Sequence, residues 1–539
     1  MKKRLSLFMA VMFCITTFAG FTFSAAAKSA ATATAPQQKI IAAISGEPEQ
    51  MDPTLNNYAL SSTVLQNLFR GLYKIDQNGK VVPALAASVK IDKTGLVYTF
   101  TLKNNLKWND GKPLTAEDFE YSWKRVLDPK VASATSFSLW CIKNGRAYNE
   151  GKAKADDVGV QAVNKNTLKV TLQNSTPWFL SMLCTTAYYP VRKDVVEAGK
   201  WTTSVDTYKC TGPYMLSKIL PKQKLVLVKN PNYVDAAKVK LQTLEFVFMD
   251  ASETELAAYM NNDIQVSTNV NANSMAKFKG TSEYHASRKI GMSYYDINTS
   301  IKPLNNAKVR RALSLSLNRS LLIEAILQDP GCLPGTGFVP TSVPNPAKKI
   351  DDYRKAAGPA FKENVKEAQT LLAAAGYPGG KGFPNVNLTC KATQSAKDMA
   401  QAMQAMWKQN LGIDVKIQTF ESKVYWDEVH KGNFGIAADG WTGDYLDPLA
   451  NLEIFTTDQN VQNNRWSNKE YDRLVDNCRK ELYAPARFAN FVKMEKILVN
   501  EMPVIPMYYY DSLYLAKPNI TGIVKNYIGH TIFEYASVK

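Results

Sequence analysis

Short segments of alternating apolar and polar residues recur among helical ones along the whole chain, and this interleaving limits the fold more than any other feature. The strand-like segments are Lys39–Ile44, Val97–Leu102, Thr167–Leu172, Lys224–Lys229 and Thr243–Phe248. Helical patterning runs over Leu60–Leu72, Ala116–Val126, Ala307–Ala325, Asn364–Ala375, Ala396–Leu411 and Tyr471–Val499. Asn298–Leu304 and Val339–Pro346 read as connectors. Such a mixture excludes all-helical and all-β folds and leaves α/β or α+β. No period of about 20–50 residues repeats, which argues against solenoids and propellers. At about 150 residues per domain, 539 residues predict roughly three folding units.

The first residues set the compartment. Lys2, Lys3 and Arg4 precede an uncharged, mostly apolar run from Leu5 to Phe23, closed by Ser24-Ala25-Ala26-Ala27. This is the pattern of a cleaved signal peptide over residues 1–27. Cys14 follows the bulky Met12 and Phe13 rather than small residues, so a lipid anchor is not expected. No later apolar run is long enough to span a bilayer.

A formal charge of +17 is compatible with nucleic acid or an anionic membrane surface. Yet the Lys and Arg residues are scattered, without an Arg-rich arm, zinc spacing or RNA-binding signature, so no nucleic-acid partner is expected. Six cysteines follow the leader at wide, irregular spacing, which supports neither a zinc site nor a redox motif. Export permits disulfides, and Cys141 with Cys184 is one possible pair. His285, His430 and His530 are scattered and read as ordinary surface or core residues. No metal or other cofactor is expected.

Chemistry concentrates in Gly440–Pro448. An apolar run (Phe434, Ile436, Ala437) reads as a strand leading into a turn that carries Trp441, Gly443, Asp444, Tyr445 and Asp447. Asp447 before Pro448 fits an Asx-type turn. Asp444, walled by Trp and Tyr, suits a small cationic group, because low local dielectric strengthens a charge-assisted hydrogen bond. Asp444 and Asp447 sit three positions apart in one turn, which does not supply the separation of a glycosidase pair. With no Gly-x-Ser-x-Gly elbow and no His-Glu-x-x-His helix, no catalytic residues are expected.

Several segments together resemble one family. They are Gly46–Pro53, Asn67–Tyr73, Tyr98–Lys103, Trp108–Phe119, Ser122–Arg125, Thr211–Tyr214, Asn230–Tyr233, Val309–Leu313 with Asn318-Arg319, and Ala374–Pro378. In this order they are similar to the extracytoplasmic solute-binding proteins of peptide ABC transporters, the oligopeptide- and dipeptide-binding group. Most have local structural reasons: Gly111 supplies a turn with φ > 0, and Thr115 is a good cap for the Ala116 helix.

The resemblance implies an α/β, two-lobed periplasmic-binding-protein fold with two crossover segments. Lobe I would take residues 38–289 plus 511–539, with an extra subdomain at about 70–190, and lobe II 290–510. It implies a non-enzymatic, monomeric periplasmic protein that binds short peptides and delivers them to an ABC permease with its ATPase subunits. Trp441-Thr442-Gly443-Asp444 matches the segment that holds a peptide's N-terminal ammonium, making Asp444 the anchor beside Tyr445. Backbone around Ala438–Thr442 and Asn57, Tyr58 and Ala59 would pair with the ligand main chain, and Tyr510 matches a tyrosine near the pocket. Positions that carry basic clamps for the peptide C-terminus in the best-known relatives are Val429, Ala438 and Ala396. A common cysteine pair is replaced by Gly291 and Thr442. The alternative is therefore a non-peptide amino-containing solute or metal chelate.

Overall fold

The computed structural model describes residues 37–269, 274, 275, 277–329, 331–347, 351–457 and 463–539. The leader at 1–27 lies outside them. Among the described residues no helix is long and apolar enough to cross a membrane.

The architecture is two-lobed α/β. Its largest element is an 11-stranded mixed sheet. Two long antiparallel strands, Tyr284–Ile297 and Val504–Ala516, run through the middle of it. Each half of this pair serves a different block of sheet. Leu515 and Ala516 pair with Ser267 and Val266, which leads on to the parallel pair Lys39–Ile44 and Thr243–Phe248. Gly291–Ile297 pairs instead with Ile436–Thr442, beyond which lie Val386–Lys391 and Val415–Phe420. The register of the long strands breaks between Arg288↔Asp511 and Met292↔Tyr509. A bulge of this kind bends a strand pair and frees it locally.

A separate four-stranded sheet (Ala86–Ile91, Val97–Leu102, Thr167–Thr171, Val160–Asn164) is covered by the helix Ala116–Leu127. That helix starts where expected. Thr115 N donates to Asp118 Oδ2 at 2.8 Å, satisfying a donor the first turn would leave free. Phe119, Trp123, Val126 and Leu127 then fall on one buried face.

The C-terminal segment returns to the start of the chain. Gln38 exchanges hydrogen bonds with Val538, and Asn67 with Thr531 O and Phe533 N. Arg70 and Lys74 both bond Glu534.

Four expectations are corrected. Tyr471–Val499 is two helices, Lys469–Lys480 and Ala484–Glu501, because Pro485 is tolerated only in a first turn. Ala307–Ala325 breaks after Leu315, where Asn318 caps a new turn through Leu321 N. The first helix spans Ala59–Leu68 and stops before Phe69. Cys141 and Cys184 are not paired, and all six cysteines of the described residues are free thiols. Cys141 Sγ instead lies 3.6 Å from the Tyr188 hydroxyl.

Candidate functional site

The strand Ile436–Thr442 runs on through Trp441, which the sequence had placed in the turn. The antiparallel ladder to Gly291–Ile297 explains this: Met292 pairs with Trp441 and Gly291 with Thr442. On its other edge the strand meets Val386–Lys391 only at Ile436 and Ala437. Among the described residues, the backbone from Ala438 to Thr442 therefore has a strand on one side only, an edge to which an extended chain can add where Tyr425 and Asp439 do not already hold the Ala438 carbonyl and Gly440 N.

Successive side chains leave a strand on opposite faces. A Cβ at Gly440 would lie 2.0 Å from the Tyr510 hydroxyl, so this position faces Tyr510, while Asp439 and Trp441 share the other face. Trp441 is held by Nε1–H donating to Ala450 O at 2.7 Å.

The turn after the strand closes a cavity of about 910 Å³. Trp441, Asp444 and Tyr445 line it from one side, and Asn57, Tyr58 and Ala59 from the other. Asn56 shapes the second wall, accepting from Tyr58 N at 3.0 Å and donating to Ser62 Oγ at 2.7 Å. No side chain caps the helix that starts at Ala59, which leaves first-turn N–H groups available to a ligand.

Asp444 is the reactive group of this cavity. No hydrogen bond or ion pair from the described residues reaches its carboxylate, and the side chain is open to the cleft. Although the side chain is exposed within the cleft, partial desolvation by the surrounding walls pushes it up to about 6, and the neighbouring Glu453 adds to the rise. Glu453 itself is committed: it accepts from the Tyr445 hydroxyl at 2.5 Å and pairs with Arg479 at 2.9 Å. Asp447 is structural, held by two bonds from Arg487 at 2.7 and 2.8 Å and accepting from Leu449 N.

The other expected site residues stand around this cavity rather than on it. The Ala438 carbonyl accepts from the Tyr425 hydroxyl. Gly443 N donates to Ile290 O, Thr442 faces Gly291, and Tyr510 backs Gly440. Sequence reasoning missed Phe137, Trp140, Met182, Glu453 and His530, which also line the cavity. Their segments are remote in sequence and converge only through folding. Phe137 and Tyr58, 53% and 46% exposed, are large aromatics left open to the cleft. Burial, with Lys525 and Lys289 nearby, pushes His530 down to about 4, so it is neutral there.

Residues 80–463 match the profile of the bacterial extracellular solute-binding proteins, family 5, middle region. The chain belongs to this family. The oligopeptide-binding protein OppA of Bacillus subtilis is 33% identical over 509 residues, 92% of each chain. The periplasmic murein peptide-binding protein MppA of Escherichia coli is 33% identical over 501 residues, 91% of each chain. An unliganded open form of MppA superposes with a TM-score of 0.83, covering 94% of this chain and 98% of that one. The probable deoxycholate-binding periplasmic protein YgiS of Escherichia coli is 31% identical over 498 residues, 91% of each chain. In this family 5 cleft the Asp444 side chain is exposed, beside the stretch Ala438–Thr442 that has a partner strand on one side only.

Proposed function

We propose that this protein captures short peptides outside the cytoplasmic membrane and delivers them to an ABC permease with its ATPase subunits. The observation that carries the reading is the partnerless Asp444 carboxylate at the end of an unpaired strand edge. The carboxylate takes the N-terminal ammonium, and the edge at Ala438–Thr442, with Asn57–Ala59 opposite, takes the peptide main chain without reading side chains. The protein works as a periplasmic monomer, released by removal of the 1–27 leader, and binding involves no bond-making step.

Lobe I is residues 38–289 with 511–539, and lobe II is 290–510. The register break between Arg288 and Met292 supports a hinge at these crossovers. Closure desolvates Asp444, where a well-bonded ion pair is worth several times its exposed value. Ligand shifts the open–closed equilibrium only by its differential affinity for the closed form.

A second reading is a non-peptide solute bearing an amine, or a metal chelate. It is favoured by the absence of any Lys or Arg among the described residues lining the cavity, where a peptide carboxylate would be clamped. Mass spectrometry of the ligand retained through gentle purification separates the two. Calorimetry of Asp444→Ala tests the anchor: free-amine peptides should bind at least about tenfold more weakly, a change of about 1.4 kcal/mol. Equal affinities for the two proteins would overturn it.

A further inference from the structure

A second cavity of about 470 Å³ continues past Trp441, which lines both. Its walls are the aromatic rings of Tyr294, Trp426 and Trp441, with His430 stacked on Trp426. The charged group facing into it is Asp439. Behind Asp439 stands Asp296, fully buried, whose Oδ2 finds no donor elsewhere in the described protein.

The two carboxyls hydrogen-bond each other; burial raises both above the usual carboxylate range, the charge of Asp439 raises Asp296 further, and the bond from Asp296 holds Asp439 partly down. One shared proton keeps the pair from carrying two charges. Asp439 otherwise accepts only from Gly440 N at 2.7 Å, while Asn464 reaches Asp296 at 3.4 Å. Lys391 and His430 lend Asp439 some positive field. Lys391, however, rests 4.7 Å above the Trp426 ring and makes no ion pair with Asp439. With one proton between them the pair still carries one negative charge, at the half-buried Asp439 facing a cavity that no described Lys or Arg lines, and a cation arriving there would neutralise it.

The charge distribution argues the same way. The chain carries +17 overall, yet no Lys or Arg among the described residues lines either cavity, while Asp444, Glu453 and Asp439 do. Aromatic walls around a carboxylate favour a cation through both the ring faces and the charge.

We propose that the cavity beyond Trp441 takes a cationic side chain of the bound peptide, a lysine or arginine, and that Asp439 selects it. The proposal rests on the peptide reading above. At about 3.3 Å per residue along the added strand, Asp439 lies roughly 10 Å from the end of the strand beside Asp444. The second to fourth residue of the peptide would present the cation.

The test uses tetra-alanine peptides with lysine, norleucine or glutamate at position two, three or four, each with a free and an acetylated amine. At one position lysine should bind at least about tenfold tighter than norleucine, with glutamate weakest. Binding of that lysine peptide should release protons, read by calorimetry in buffers of different ionisation heat. Asp439→Asn should bring lysine and norleucine peptides within about twofold of each other. Should that variant fail to fold, the wild-type panel and the proton release decide alone. No lysine preference at any position, or a preference for glutamate, overturns the proposal. Loss of the free-amine requirement across the whole panel would instead overturn the Asp444 reading.

Discussion

Trp178 stacks on Tyr445, with ring centroids 4.8 Å apart and planes 12° from parallel, so the residue following Asp444 is clamped by a ring more than 250 positions away in the chain. Leu446 N reinforces the clamp by donating to Ser181 Oγ at 3.3 Å. The stack fixes the residue next to Asp444 and so restrains the backbone that carries its carboxylate. An aromatic pair contributes about 0.5–1.5 kcal/mol beyond its buried area. Trp178→Ala should therefore weaken free-amine ligands about three- to tenfold by calorimetry, and Trp178→Phe should lose less. Unaltered affinity in Trp178→Ala would mean that Tyr445 needs no clamp.

Asp444 gives binding a pH dependence. The empty carboxyl lies near 6, and an ammonium binds only its ionised form. A bound cation lowers this value, so affinity is full above about pH 6 and declines as pH falls through it. Free-amine ligands should bind up to about tenfold more weakly for each unit below pH 6, and Asp444→Asn should flatten the profile over that range. Titration at pH 5, 6 and 7 measures both.

Gly440 is required by close approach rather than by its backbone angle. A Cβ there would lie 2.0 Å from the Tyr510 hydroxyl and 3.0 Å from Met292 O. Gly440→Ala must displace the edge strand or the tyrosine, at an overpacking cost of about 1–3 kcal/mol. Ligand affinity and melting temperature should both fall. Adding Tyr510→Phe removes the hydroxyl in the way, so the double variant should recover part of the loss. A purely additive double-mutant cycle would exclude this contact as the cause.

Local pattern made much of the fold legible. Lys39–Ile44, Val97–Leu102, Lys224–Lys229 and Thr243–Phe248 form as strands with the predicted ends, because alternation and flanking polar residues act within a few positions. Helix periodicity carried the reading past Leu315 and Lys480, since apolar spacing continues across both breaks while Asn318 and Pro485 redirect the backbone. At the site, the family segment Trp441–Asp444 pointed to the cavity that Asp444 lines. The opposite wall was legible only at Asn57–Ala59. Phe137, Trp140 and Met182 join it through the packing of a separate sheet, which no local pattern encodes. Asp439 was invisible as a site because its meaning depends on Asp296, brought beside it by the ladder that pairs Ala437 with Asp296.

The ion cluster around Glu534 ties the C-terminal segment to the chain just after the first helix and should dominate acid stability. Glu534 is 1% exposed and accepts from Arg70 Nη2 at 2.8 Å, Lys74 Nζ at 2.6 Å and the Tyr233 hydroxyl at 2.8 Å. Burial alone would raise its carboxyl, but Arg70 and Lys74 outweigh burial and hold it below the usual glutamate range. A carboxyl depressed in the folded state stabilises above its unfolded value, near 4.3, and that stability is lost as pH falls through the folded value. Glu534→Gln leaves buried Arg70 and half-buried Lys74 without their shared partner, a loss of about 3–5 kcal/mol. Urea unfolding at pH 7 should register that loss, and it should shrink on acidification as the wild-type carboxyl takes up its own proton. A difference that stays constant from pH 7 to pH 3 would mean the glutamine is costly for its packing and not for its missing charge.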